Sequence, residues 1–281
     1  MRKKATTNLT SAEQKAVFKA VYLQEVDISQ KIKRIQQVLK ENSTKNRAGK
    51  NKFIYTYQQN ASISSEIDGL ITKMGLFFNR NKELLGLGLA SVAEKSYRYQ
   101  QSRSVLPIIQ ARQFDIVFSD SLRTKTELIK ARAFSSLKGI TDETGGKIKT
   151  ILQHGFIQGE NPKEIADLIK ERANVLGFRS RLIARTEMLN TARTAQVAEI
   201  EDEELQTGTK VFVLWSTIQD GRTRQSHLAR NGKVYTTQAV QVLVGEPNCR
   251  CDVDSFYENE LPKNVTAAMI EKAGVRGVKI K

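Results

Sequence analysis

The fold of the second half of the chain is decided by residues 211–235, which read VFVLWSTIQDGRTRQSHLARNGKVY. Residues 211–215 are β-branched and aromatic, which predicts a buried strand, and residues 219–221 predict a turn after it. Residues 222–230 fit a short helix that an Asn-Gly pair closes. Two further short strands are predicted downstream, at residues 233–237 and 239–244. Strands and a helix that alternate in this way predict a small α+β unit.

The sequence before residue 140 is predicted to be helical. Apolar residues recur at spacings of three, four and seven over residues 11–40, which predicts one long amphipathic helix. Residues 62–137 continue this pattern, but glycines and Pro107 interrupt it, so we expect several helices there. The polar segment 141–146, TDETGG, predicts a linker and a domain boundary.

Three further helices are predicted between this linker and the first strand. Gly159 ends one of them, and residues 161–164, NPKE, have the residue types of an N-cap, a first helical position and a capping-box acid. A long helix follows at about residues 179–205. The predicted fold class is α+β and mostly helical. The predicted regions are a basic helical region at 1–140, a small α+β domain at 145–256, and a C-terminal helix and basic tail at 257–281.

Positive charge is concentrated in the first half of the chain. The sequence has 45 Lys and Arg against 30 Asp and Glu, a net charge of +15. Residues 1–139 hold 25 basic and 11 acidic side chains, whereas residues 140–281 hold 20 and 19. A one-sided excess is typical of a protein that binds a polyanion, because Lys and Arg neutralise phosphates and release counterions. The alternative interpretation is a well-solvated surface with no such partner.

Two basic segments are candidates for contact with double-stranded DNA. Residues 41–52, ENSTKNRAGKNK, have no apolar period and predict a mobile basic loop, and residues 123–138 predict a helix with a basic outer face. The candidate phosphate contacts in the two segments are Lys45, Arg47, Lys50, Lys52, Arg123, Lys125, Lys130 and Arg132.

Composition argues against several classes of protein. Cysteines spaced as Cys249 and Cys251 would close a loop too short to staple a fold. Residues 1–10 lack the apolar core of a secretory signal, and the longest apolar run, residues 84–93, is too short for a membrane span. We therefore expect a soluble protein made in a reducing compartment.

Reactive side chains cluster in one part of the sequence, and they favour two kinds of site. His227, Cys249 and Cys251 supply ligands that suit Zn²⁺, with Asp220 or a water as the fourth. Alternatively, the two cysteines are small packing residues in a reduced protein.

An enzymatic interpretation uses the same residues. His227 would act as a general base, Arg222 and Arg224 would clamp a phosphate, and Asp220 would hold a metal or orient the imidazole, giving a metal-dependent phosphoesterase or nuclease. In the structural alternative, Asp220 caps the short helix and the arginines pair with acids such as those at 201–204. The non-enzymatic interpretation is favoured, because one His with no recognised nucleophile or carboxylate pair is thin evidence for catalysis.

Motifs of the second half follow the order and spacing of one known family. An ARTE helix at 184–187, a single Trp, a D-x-R-T-R-x-x-H segment at 220–227 and N-C-R-C at 248–251 together resemble the Mu F-like head morphogenesis family of tailed bacteriophages. The resemblance covers about residues 145–256. It rests on Arg185, Thr186, Glu187, Trp215, Asp220, Arg222, Thr223, Arg224, His227, Asn248, Cys249 and Cys251.

The resemblance implies a minor capsid protein that is present in few copies at or near the portal vertex during head assembly. Its implied partners are the portal protein and, as further candidates, scaffolding or major capsid protein. Its implied location is the capsid interior, after assembly in the host cytoplasm, and some members are delivered with the DNA. The family is regarded as morphogenetic rather than enzymatic. A basic N-terminal half suits a protein that lies beside densely packed DNA.

Overall fold

The computed structural model describes residues 11–43, 47–48, 52–53, 57–104 and 120–280. Most of these residues are helical, and the main β-structure is a small antiparallel sheet of four strands, so the predicted mostly helical α+β class is confirmed. Lys45 and Lys50, two of the candidate DNA contacts, lie outside the described residues. Among the described helices, none combines the length and apolar character that a membrane crossing requires.

The described part of the chain contains thirteen helices and strands. They are α1 (Ser11–Ser43), β1 (Arg47–Ala48), β2 (Lys52–Phe53), α2 (Tyr57–Arg103), α3 (Asp120–Gln158), α4 (Pro162–Thr207), β3 (Val211–Ser216), α5 (Gln225–Leu228), β4 (Lys233–Tyr235), α6 (Thr237–Leu243), β5 (Asp252–Tyr257), α7 (Ala267–Ala273) and β6 (Val278–Lys279). Short 3₁₀ turns follow β5 and α7.

The chain forms two compact units, and each of them combines segments that are not adjacent in the sequence. The sheet unit contains Met1–Val17, Gly86–Ala131 and Arg185–Lys281, and the helical unit contains Phe18–Leu85 and Arg132–Ala184. Each of the helices α1 to α4 therefore contributes residues to both units. The helical unit holds 21 basic and 12 acidic residues and the sheet unit 24 and 18, so both carry an excess of positive charge. The positive charge that is concentrated in the first half of the sequence is therefore divided between the two units.

The helical unit is held together by one apolar core. Segments of all four long helices supply it, because the i, i+3, i+4 spacing of their apolar residues puts one face of each helix inward. Its buried members include Ile35 and Leu39 of α1, Ile67 of α2, Leu152 of α3 and Ile165 of α4.

Glycines inside the long helices do not interrupt them. The predicted linker at 141–146 is wrong, since these residues lie within α3. The expected breaks between residues 62 and 103 are absent from α2, and α4 runs without a break through Gly177. A glycine costs a helix about 1 kcal/mol relative to alanine, which the burial of neighbouring apolar side chains outweighs. The predicted boundary between α3 and α4 is confirmed: Gly159 has φ +66°, and Asn161 Oδ1 accepts a hydrogen bond from Lys163 N at 2.9 Å.

The sheet has strand order β5-β3-β4-β6, and all its neighbouring strands are antiparallel. The predicted strand at 211–215 is confirmed as the central strand β3, with both faces covered. Val213 and Trp215 belong to a core with α4 and α6, and Phe212 belongs to a second core with α7. The predicted strand at 239–244 is wrong, because this segment lies mostly in α6. Its N-cap Thr236 accepts a hydrogen bond from Ala239 N at 3.2 Å, which starts a helix rather than a strand.

Candidate functional site

Two loops of the sheet unit bring the reactive residues together. The turn after β3 is held by Asp220, whose Oδ1 accepts hydrogen bonds from Arg222 N at 3.1 Å and Thr223 Oγ1 at 3.0 Å. This turn leads into α5, which carries His227. The second loop contains Cys249 and Cys251 and ends where β5 begins. Because β5 pairs with β3, the cysteine loop returns to the turn that supports α5.

His227, Cys249 and Cys251 form a buried group. The Nδ1 atom of His227 lies 3.2 Å from Cys251 Sγ and 3.4 Å from Cys249 Sγ. Their possible ligand atoms all lie within 4.8 Å of one another. All three residues are buried, at 2–3% exposure. The structure therefore gathers the predicted His and Cys ligands into one place, although the chain separates them by more than 20 residues.

Glu246 fixes the orientation of the His227 ring. Its Oε2 atom lies 2.6 Å from His227 Nε2, and its Oε1 atom lies 2.8 Å from Arg230 Nη1. Burial raises the pKa of the Glu246 carboxyl, but the hydrogen bond from His227 and the charge of Arg230 outweigh burial and lower it. An ionised carboxylate only accepts hydrogen bonds, so Nε2 donates a hydrogen bond to Glu246, and Nδ1 faces the two sulfurs.

Arg193 of α4 supports the cysteine loop from the other side. Its Nε donates to the carbonyl oxygen of Cys251 at 3.1 Å, and its Nη2 donates to the carbonyl oxygen of Cys249. A hydrogen bond from Cys251 and the charge of Arg193 lower the pKa of the Cys249 thiol. The hydrogen bond to Cys249 and burial raise the pKa of the Cys251 thiol. The pair therefore favours one thiolate, at Cys249.

The ARTE and NCRC motifs meet at the same loop. Thr186 Oγ1 accepts a hydrogen bond from Asn248 N at 3.1 Å, and Asn248 has a positive φ of 54°. Thr186 and Glu187 are buried, whereas Arg185 is exposed. Trp215 is fully buried, with the Arg230 guanidinium 5.5 Å from its ring centre.

Asp220 does not join the His–Cys group. Arg250 donates to its two oxygens in a bidentate pair, at 2.7 Å and 2.6 Å. That hydrogen bonding holds the pKa of the Asp220 carboxyl well below its usual range. The prediction of Asp220 as a fourth metal ligand is therefore corrected: its carboxylate is committed to Arg250 and to the turn. The structural alternative, in which Asp220 caps the short helix, is also wrong, because α5 begins at Gln225 with Arg224 at its N-cap and no capping side chain, whereas Asp220 holds the turn before it.

The two arginines of the motif border a small cleft. Arg222 is exposed and lies 3.7 Å from Asp220, while Arg224 donates to the carbonyl oxygen of Pro247 at 2.8 Å. The expectation that these arginines pair with acids at 201–204 is wrong, because acids of the cysteine loop and the preceding turn are nearer. His227, Cys249 and Cys251 also line the cleft.

The candidate DNA contacts have different surroundings. Arg123 and Arg132 of α3 are exposed, whereas Lys125 pairs with Glu201 at 2.7 Å and Lys130 with Glu127 at 2.6 Å. Arg47 and Lys52 lie on β1 and β2, which pair as an antiparallel hairpin in place of the predicted loop.

Comparison with known proteins supports one family. Residues 146–254 match the family model described as Phage Mu protein F like protein. This segment is therefore similar to the Phage Mu F-like family, and the similarity supports a connection with bacteriophage head morphogenesis.

A relative and the solved structures complete the comparison. A protein of Haemophilus influenzae (strain ATCC 51907 / DSM 11121 / KW20 / Rd), described as "Uncharacterized protein", is 24% identical over 137 residues. The match covers 47% of this chain and 30% of the relative, so the chain spans under a third of that protein's length. No solved structure matches the chain.

Sequence reasoning missed three residues that organise the Mu F-like segment. Arg193 is one charged residue on the buried face of α4, Glu246 precedes a proline, and Arg250 lies between the two cysteines. The available signal was Arg193 itself, since a charged residue at a position that faces the core requires a buried partner.

Proposed function

We propose that this protein is a minor capsid protein that acts at the portal vertex of a tailed bacteriophage, in head assembly and in packaging or delivery of DNA. The observation that carries the proposal is the family match over residues 146–254. The motif residues support it, because the buried Thr186 holds the backbone of Asn248 next to the buried His–Cys group in the matched segment. An intact, ordered domain of this kind suits a docking role.

The second part of the proposal is that basic residues bind duplex DNA without reading its sequence. Residues 1–139 carry most of the positive excess, and Arg123 of α3 is exposed to solvent. Each phosphate that a protein neutralises on duplex DNA contributes about −0.9 to the slope of log affinity against log salt. The proposal therefore predicts binding that weakens steeply with salt and is indifferent to sequence.

A charge-matched pair of variants tests the DNA contact. The first replaces Lys45, Arg47, Lys50 and Lys52 with Gln. The control replaces four lysines that already pair with acids: Lys138, Lys147, Lys149 and Lys210. Both variants lose four charges, but only the first loses the proposed phosphate contacts, so only the first should reduce the salt slope, by about 3.6 in a gel-shift series. Equal losses in the two variants, or salt-insensitive binding by the native chain, would contradict specific contact by these residues.

Co-purification tests the vertex role. The full chain is co-expressed with the portal protein of the same phage, and the portal ring is isolated by size. We expect a substoichiometric complement of this protein on the ring, and density for it near the portal in heads imaged by electron microscopy. A protein found free in the lysate and spread evenly over the shell would overturn the proposal.

The arginine-lined cleft raises the alternative of a metal-dependent phosphoesterase or nuclease. Two neighbouring carboxylates are already engaged, Asp220 with Arg250 and Glu246 with His227 and Arg230. Neither is poised to take a proton from a water, which favours the assembly role. Incubation of the metal-loaded protein with plasmid and single-stranded DNA checks this. Cleavage that His227→Ala abolishes would establish the enzyme instead.

A further inference from the structure

We propose that His227 Nδ1, Cys249 Sγ and Cys251 Sγ bind a zinc ion. One imidazole and two thiolates are ligands that Zn²⁺ prefers. These three are buried and converge from α5 and from the loop before β5 in the sheet unit. The site would tie α5 to the segment that enters β5.

The distances between the donor atoms fit this ion. Zn–S bonds of about 2.3 Å and Zn–N bonds of about 2.0 Å in a tetrahedron place sulfur and nitrogen about 3.5 Å apart. The Nδ1 atom of His227 lies 3.2 Å and 3.4 Å from the two sulfurs. Both nitrogen-to-sulfur distances therefore lie within about 0.3 Å of those in a tetrahedral zinc site.

The surroundings of the three ligands are those of a supported metal site. A ligating imidazole commonly donates its other N–H to a carboxylate, which fixes ring and tautomer. Glu246 takes this position at 2.6 Å from Nε2. Arg193 holds the carbonyl groups of both cysteines, so the loop presents the two sulfurs to the same imidazole nitrogen, and its charge offsets a thiolate.

The fourth position faces the arginine-bordered cleft, because His227, Cys249 and Cys251 all line it. Asp220 is engaged by Arg250, so a water from the cleft completes the tetrahedron. The competing explanation is that both cysteines only pack as small apolar residues. Packing alone does not account for a histidine that a carboxylate orients towards two sulfurs.

The native chain itself provides the first test, because Cys249 and Cys251 are its only cysteines. Protein purified from zinc-supplemented medium should contain one zinc per chain by mass spectrometry. Titration of its thiols with a mercurial should release that zinc in step with the two thiols. Absence of zinc after purification and after refolding with Zn²⁺, or zinc that stays bound while both thiols react, would overturn the site without any mutant.

Ligand variants provide the second test. Cobalt-loaded protein should show the visible absorption of a four-coordinate site and a sulfur-to-cobalt charge-transfer band. Cys249→Ser should reduce that band by about half, since it removes one of two thiolate ligands. His227→Ala should lose the metal at least tenfold more readily. His154→Ala is the control, because this second histidine is exposed. Equal metal affinity in His227→Ala and His154→Ala would overturn the proposal.

Discussion

Arg193 donates a hydrogen bond from Nε to the carbonyl oxygen of Cys251 at 3.1 Å, although 58 residues separate them in the chain. Arg193 is 2% exposed, so its guanidinium has lost its water and depends on protein acceptors. Those acceptors include the carbonyl groups of both cysteines. One buried arginine therefore joins α4 to the loop that carries the thiols.

Replacement of Arg193 by Lys should destabilise the protein even though the charge is kept. An ammonium group is a point donor and cannot reproduce the fork that reaches both carbonyl groups. We expect the free energy of unfolding in urea to fall by about 2–3 kcal/mol. Arg185→Lys on the same helix is the control, and because Arg185 is exposed its change should stay within about 0.5 kcal/mol. Similar stabilities for the two variants would show that the carbonyl contacts contribute little.

Tyr257→Phe should destabilise the sheet unit. The Tyr257 hydroxyl donates to Glu203 Oε1 at 2.5 Å, and Glu203 is buried. Removal of this donor leaves a buried carboxylate less well bonded, which should cost about 1–3 kcal/mol. Tyr235→Phe is a matched control, since the Tyr235 hydroxyl is buried with no hydrogen-bond partner in the described structure. Loss of the Tyr235 hydroxyl should leave the free energy of unfolding unchanged or slightly higher, as measured by thermal and urea unfolding. A destabilisation equal to that of Tyr257→Phe would contradict this explanation.

Signals that the sequence predicted correctly are local ones. A β-branched and aromatic run becomes β3 because such side chains pack on both faces of a sheet. The Asn161-Pro162 start of α4 needs only neighbouring residues, since the cap bonds two positions onwards. The His–Cys group was predicted from residue types alone, and its assembly follows from the pairing of β3 with β5.

The predictions from sequence are wrong where a residue distant in the chain determines the local structure. Asp220 has the right chemistry for a metal ligand, but Arg250, 30 residues later, takes both its oxygens. The segment 239–244 has strand-like residues, yet the Thr236 cap and burial of Val240 against the sheet make it a helix. Gly145 suggests a linker, whereas in α3 it leaves room for Ile71 of α2.

This explanation of Gly145 predicts opposite effects at two adjacent glycines. A methyl group at Gly145 would lie 2.6 Å from Ile71 Cγ2, while at Gly146 it would meet nothing within 4 Å. Gly146→Ala should stabilise the protein by about 0.5–1 kcal/mol, because alanine loses less backbone entropy in a helix. Gly145→Ala should cost about 1–2 kcal/mol, because a β-branched neighbour yields poorly. Urea unfolding of both variants checks the difference, and equal stabilisation would mean that the helices separate easily here.

Gly277 and Gly274 separate backbone strain from steric clash in the turn before β6. Both have positive φ, +60° at Gly277 and +51° at Gly274, so alanine is strained at either position by about 1–3 kcal/mol. Only at Gly277 would the methyl group also clash, since it would lie 2.4 Å from Cε1 of the buried Tyr235 ring. Gly277→Ala should therefore lower the free energy of unfolding by about 1–3 kcal/mol more than Gly274→Ala. Equal stabilities of the two variants would mean that the Tyr235 ring moves aside in Gly277→Ala. The near-ultraviolet circular dichroism of that variant tests for this movement, and a signal unchanged from the native protein would contradict it.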